Sequence, residues 1–150
     1  MIIEVHSEAE MRAFGERVGR RVKGGEIIEL IGDIGAGKTT FVKGLAVGMG
    51  IEEAILSPTF NISRVYDAPT GLRLAHYDFY RLTDAGIMKD ELAETVSDPS
   101  VITVIEWGDI VADVLPATRF TIRIAAPAET SRQLDLTGDD SIWGSHDSFT

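Results

Sequence analysis

The sequence predicts an α/β domain. A short apolar run, Ile27–Ile31, opens onto a glycine-rich stretch and then a helical segment. A second apolar run, 101–105, ends in the carboxylate of Glu106. Strand-like and helix-like patterns alternate along much of the chain, as they do when helices cover a central sheet.

The elements follow in order. Ile2–Val5 reads as a short edge strand. Ser7-Glu8-Ala9-Glu10 has the S-x-x-E form of a capping box, so a helix should run to about Val22 with Met11, Phe14, Val18 and Val22 on one face. Gly24-Gly25 ends it. Ile27–Ile31 is a buried strand, and a second helix should start at Gly37-Lys38 and reach about Met49. Ser57-Pro58-Thr59-Phe60 is a loop entering a strand over 61–66, and the turn residues of 67–71 predict a hairpin to 72–77. A helix is expected over 84–96, a buried strand over 101–105, and a closing strand pair over 120–124 and 133–136. These place one domain at 1–137 and leave 138–150 as a polar tail, loose or docked by Trp143.

Composition narrows the function. The chain of 150 residues suits one domain with one core. It carries 14 basic and 24 acidic residues, a net charge of −10, with no basic run beyond Arg20-Arg21-Val22-Lys23. Little direct nucleic-acid binding is expected, because such binders carry basic patches that displace counterions, and no attraction to an anionic membrane is expected either. The absence of cysteine removes disulfides and thiolate chemistry and suits the cytoplasm. No apolar run approaches a membrane span, and the N-terminus does not read as a secretory signal. His6, His76 and His146 form no metal motif and read as structural or solvated.

Residues 32–39, Gly-Asp-Ile-Gly-Ala-Gly-Lys-Thr, match the phosphate-loop pattern G-x-x-x-x-G-K-[ST] between a strand and a helix. Gly32, Gly35 and Gly37 let the backbone approach a ligand closely, so consecutive amides line an anion nest at a helix N-terminus. Lys38 neutralises the β- and γ-phosphates, and the Thr39 hydroxyl suits Mg²⁺. Asp33 puts negative charge into an anion site, where it either orients water or caps the loop.

Two acids stand at strand ends, where open α/β sheets bind ligands. Glu106 has the Walker-B layout, and Asp78 sits in His76-Tyr77-Asp78-Phe79-Tyr80-Arg81. Thr59, on a loop stiffened by Pro58, either meets the γ-phosphate or its metal or serves as a turn hydroxyl. Trp107 packs in the core, near the nucleotide or against a partner.

The phosphate loop through Thr40, then Ser57-Pro-Thr-Phe60, then His76-Tyr-Asp-Phe-Tyr-Arg-Leu82, then Glu106-Trp107 occur in that order. Together they resemble the bacterial TsaE (YjeE) family of P-loop ATPases in tRNA threonylcarbamoyladenosine biosynthesis, across residues 2–137. The resemblance implies a P-loop NTPase-like three-layer sandwich with a largely parallel central sheet. It implies ATP hydrolysis with Mg²⁺ and binding to a two-protein threonylcarbamoyl transferase complex of TsaB and TsaD type. Those partners modify the adenosine next to the tRNA anticodon, and this subunit binds and resets them. Carried onto this chain, it places catalysis on Asp78, Glu106 and Thr59, and metal binding on Thr39 and Glu106. It places nucleotide binding on Ser7, Glu8, Asp33, Ile34, Gly35, Ala36, Gly37, Lys38, Thr39, Thr40 and Arg132, the last preceded by Ser131 where the family usually has glycine.

Three other readings share parts of this pattern. A small-molecule kinase shares the phosphate loop but also needs an acceptor pocket and usually an arginine-bearing lid, and only Arg64 and Arg73 lie between Thr59 and the His76 motif. A GTPase would carry an Asn-Lys-x-Asp motif, and the only asparagine is Asn61. A nucleotide-dependent interaction module with negligible turnover shares every part.

Overall fold

A computed structural model of the chain describes residues 1–33, 37–55, 62–80, 86–139 and 141–143. The elements are β1 (Ile2–Val5), α1 (Glu8–Arg21), β2 (Ile27–Ile31), α2 (Lys38–Gly48), β3 (Ser63–Asp67), β4 (Arg73–Asp78), α3 (Gly86–Val96), β5 (Val101–Glu106), a 3₁₀ segment (Gly108–Val114), β6 (Phe120–Ala125) and β7 (Arg132–Thr137). The strands form one sheet in the order β1-β7-β6-β2-β5-β4-β3. Its four middle strands, β6, β2, β5 and β4, run parallel, while β7, β1 and β3 join antiparallel at the sides.

Burial explains this arrangement. All six residues of β5 and the first four of β2 are buried, which is how strands read when both sheet faces are covered. On one face α1 and α2 bring Met11, Phe14, Val18, Phe41, Val42 and Leu45 onto Ile28, Leu30, Ile102 and Val104. On the other, Leu92, Val111 and Leu115 cover Ile27, Tyr77 and Ile105. The result is the expected three-layer sandwich, largely parallel at its centre. Among the described residues no helix is long and apolar enough to cross a membrane.

Ser7 caps α1, its hydroxyl accepting from the Glu10 amide at 3.1 Å, as the capping box predicts. Acidic Glu8 and Glu10 in the first turn and basic Arg20 and Arg21 in the last complement the helix dipole. The α1–α2 crossing is built on glycine. A Cβ added to Gly44 would lie 2.1 Å from the Arg12 carbonyl oxygen, and one on Gly19 would lie 2.2 Å from that of Leu45. Gly15 and Gly48 face the same constraint, so the two backbones touch directly.

Some details differ from expectation. The strand expected over 61–66 is Ser63–Asp67, because its register is set by pairing with β4, and Asn61 lies outside the described residues. The helix expected over 84–96 is described from Gly86. The 3₁₀ segment after β5 was not expected. Near the C-terminus, Trp143 is 1% exposed, packed flat on Phe14 at 6.2 Å and edge-on to Phe120 at 5.6 Å between ring centroids.

Candidate functional site

The site is assembled at the C-terminal ends of the middle strands. In the sheet register Glu106 pairs with Leu30 on β2 and with Asp78 on β4. Chain leaving β2 enters Gly32 and Asp33, and α2 begins with Lys38 after Gly37, whose φ of 108° is the left-handed geometry that favours glycine. The phosphate-loop flanks and both acids therefore share one end of the sheet, the position at which open α/β sheets bind ligands.

Lys38 is 6% exposed although it carries a charge. Its Nζ donates to the Gly32 carbonyl oxygen at 2.7 Å, lies 3.9 Å from Glu106 Oε1, and sits 4.2 Å from the centroid of the Trp107 ring. Burial holds its pKa below the ordinary lysine value, against Glu106, Asp78 and Asp33, whose charges favour the ammonium. Trp107 is the one non-glycine residue of positive φ among those described, at 57°. Such backbone costs on the order of 1–3 kcal/mol and tends to occur at functional positions. Its ring also meets Tyr80, with centroids 4.9 Å apart.

Glu106 is 4% exposed, and its second oxygen, Oε2, is 2.5 Å from His76 Nε2. His76 is fully buried, so of the two readings open for it the solvated one is excluded. Asp78 Oδ1 accepts from the Tyr80 amide at 3.0 Å. Burial pushes the Asp78 carboxyl above the ordinary carboxylate range; the Tyr80 bond opposes that shift and the Glu106 charge adds to it.

Next to the phosphate-loop flank lies a cavity of about 360 Å³. Ser7, Glu8, Gly37, Thr40 and Arg132 line it, together with His6, Met11, Glu129 and Thr130. Residues from both ends of the chain meet there because β1 pairs with β7, which sets Val5 opposite Arg132 and brings the last strand beside the N-cap of α1. The Arg132 Nη1 donates to the carbonyl oxygens of Ala128, Glu129 and Ser131. Thr39 lies half-buried in the first turn of α2, and Asp33 is exposed. Ile34, Gly35, Ala36 and Thr59 lie outside the described residues.

Two features of the site end were not read from sequence. One is the His76–Glu106 contact, whose signal is the two-residue alternation that sets His76 and Asp78 on one face of β4. The other is a partly buried ion pair under the opposite face, Arg119 Nε to Glu29 Oε1 at 2.8 Å, with Gly108 packed on Glu29.

A sequence model of the family described as "Threonylcarbamoyl adenosine biosynthesis protein TsaE" matches residues 5–134. The chain belongs to the TsaE family. Its relatives include the tRNA threonylcarbamoyladenosine biosynthesis protein TsaE of Treponema pallidum, 40% identical over 130 residues, 87% of this chain and 95% of that one. The protein of the same name in Streptomyces coelicolor is 34% identical over 142 residues, covering 91% of this chain and 96% of the other. Among solved structures, that of YdiB from Bacillus subtilis superposes with a TM-score of 0.74 at 29% identity, over 92% of this chain and 84% of that one. The TsaE match runs from the last residue of β1 into β7 and includes β2, β4 and β5, which carry the phosphate-loop flank and both acids, in full.

Proposed function

We propose that this chain is an ATP-hydrolysing accessory subunit of tRNA threonylcarbamoyladenosine biosynthesis, acting on a two-protein transferase complex of TsaB and TsaD type. The reading puts it in the cytoplasm and has it act on partner proteins, not on tRNA, in keeping with the net charge of −10. The observation that carries it is the convergence of Lys38, Glu106 and Asp78 at one end of the sheet, beside a cavity lined by Ser7, Glu8, Gly37, Thr40 and Arg132.

In this reading the triphosphate lies on the α2 N-terminus and the loop before it, while the nucleoside fills the cavity. Lys38 exchanges its bond to the Gly32 carbonyl for phosphate oxygens, and its burial strengthens that attraction. The donor set suits Mg²⁺, which usually binds through one or two carboxylates plus substrate phosphates; among the described residues no group of three or more His, Cys, Asp or Glu forms a separate metal cage. Thr39 and Glu106 would hold the ion, and its charge would offset that of the β- and γ-phosphates. Asp78 orients the attacking water and accepts its proton as the water oxygen bonds to the γ-phosphorus. The β–γ bridging bond breaks, and ADP leaves with its electron pair. The raised pKa of Asp78 suits it to hold that proton.

The test is ATP turnover by the purified chain, alone and with the partner complex. Magnesium-dependent release of phosphate that the complex accelerates is the expected result. Failure to bind ATP, or transfer of the phosphoryl group to a metabolite, overturns the proposal.

A further inference from the structure

The proposed reaction leaves the buried His76 imidazole without a task. We infer that His76 is a positioning residue: its Nε2–H holds Glu106 Oε2 and so turns Oε1 toward Lys38 and the phosphate loop as a donor for the divalent cation. The inference rests on reading this site as one for Mg²⁺ and ATP.

The geometry carries it. His76 and Glu106 are 0% and 4% exposed, and their contact is 2.5 Å. The two residues are diagonal neighbours across the β4–β5 ladder, His76 being paired with Val104 and Asp78 with Glu106. The other ring nitrogen, Nδ1, is buried and has no hydrogen-bond partner among the described residues. A proton on Nδ1 would be a buried donor without an acceptor, so the ring proton belongs on Nε2, aimed at the carboxylate. The two Glu106 oxygens thus have different surroundings: Oε2 is engaged by His76, and Oε1 faces Lys38 at 3.9 Å. A lone carboxylate on a flexible side chain would sample several orientations, and the imidazole selects one. Groups that orient a metal ligand in this way typically contribute about 10–100-fold to metal affinity or activity.

Two variants test this. His76→Leu fills the space without a donor, and His76→Gln carries an amide nitrogen near the position of Nε2. Three quantities are measured: the melting temperature, affinity for a fluorescent ATP analogue in EDTA, and the magnesium concentration that half-saturates the ATP-bound protein by calorimetric titration. We expect metal-free ATP affinity within about 2-fold of the parent in both, half-saturating magnesium raised about 10–100-fold in His76→Leu, and most of that loss recovered in His76→Gln. A folded His76→Leu with parental magnesium dependence overturns the inference. If His76→Leu does not fold, His76→Gln is compared with His76→Asn, whose amide is one bond too short to reach Glu106, and equal magnesium dependence in those two overturns it. A parent chain that binds no Mg²⁺ with ATP removes the reading of the site and this inference with it. A parent that binds normally while His76→Leu matches it removes the inference alone.

Discussion

Asp78 and Glu106 face each other as the last paired residues of β4 and β5. Two carboxylates side by side at one end of a sheet are held there by unequal means. Glu106 is bonded to a buried imidazole and lies near a buried ammonium, while Asp78 has a backbone amide. That asymmetry assigns them different work.

Glu106→Gln keeps an oxygen for the His76 donor and removes the charge. ATP should still bind, within about 3-fold of the parent, while turnover falls by about 100- to 1000-fold, the scale seen when one transition-state-stabilising group is lost. Parallel binding and phosphate-release assays check this. Near-parental turnover moves the metal role to Asp78.

Asp78→Asn separates stability from activity. An acid whose pKa is raised on folding holds its proton more tightly in the native state. Stability therefore falls as pH rises from the ordinary carboxylate pKa through the raised one, and the penalty is complete above that window. Asparagine keeps the acceptor for the Tyr80 amide and carries no such penalty. The variant should melt higher than the parent near neutral pH, lose that advantage below about pH 3, and hydrolyse ATP poorly. Thermal melts across pH check the sign, and an advantage that grows toward low pH refutes it.

Lys38→Ala removes the ammonium held against Gly32, Glu106 and Trp107. ATP affinity or turnover should drop on the order of 100-fold or more. The change should appear in a binding titration with metal present, and unchanged affinity and rate would contradict the role given to this side chain.

Gly44→Ala tests the helix crossing. The new methyl would meet a backbone carbonyl that cannot swing aside, so α1 and α2 must separate. Overpacking of this kind costs roughly 1–3 kcal/mol, occasionally more. Denaturant melts should show the loss, together with weaker nucleotide binding, because both helices line the cavity.

Much of the architecture is legible in local sequence. The Ser7 cap, the apolar run of β2 and the glycine punctuation around the first two helices all act through neighbours in the chain. The 3₁₀ segment Gly108–Val114 was not, because seven residues with a kink at Val111 leave no helical stripe to detect. Lys38 and Glu106 were legible because a motif and a strand end mark them. The burial of His76 depends on β5, which lies beyond α3 in sequence, and the place of Arg132 beside Ser7 depends on pairing between the first and last strands. Alternation along a strand shows which residues share a face, but not which strand lies beside them. Trp143 follows the same logic: nothing nearby in the chain shows that Phe14 and Phe120 form its socket.

The glycine-paved contact between the first two helices makes them a single stiff block, and that block carries two banks of the cavity. A nucleotide entering there finds walls unable to pinch inward around it. Any rearrangement that follows nucleotide entry therefore falls to the opposite shore, where Glu129, Thr130 and Arg132 close the cavity. A partner protein that responds to the nucleotide should therefore grip that shore and be indifferent to the backs of the helices.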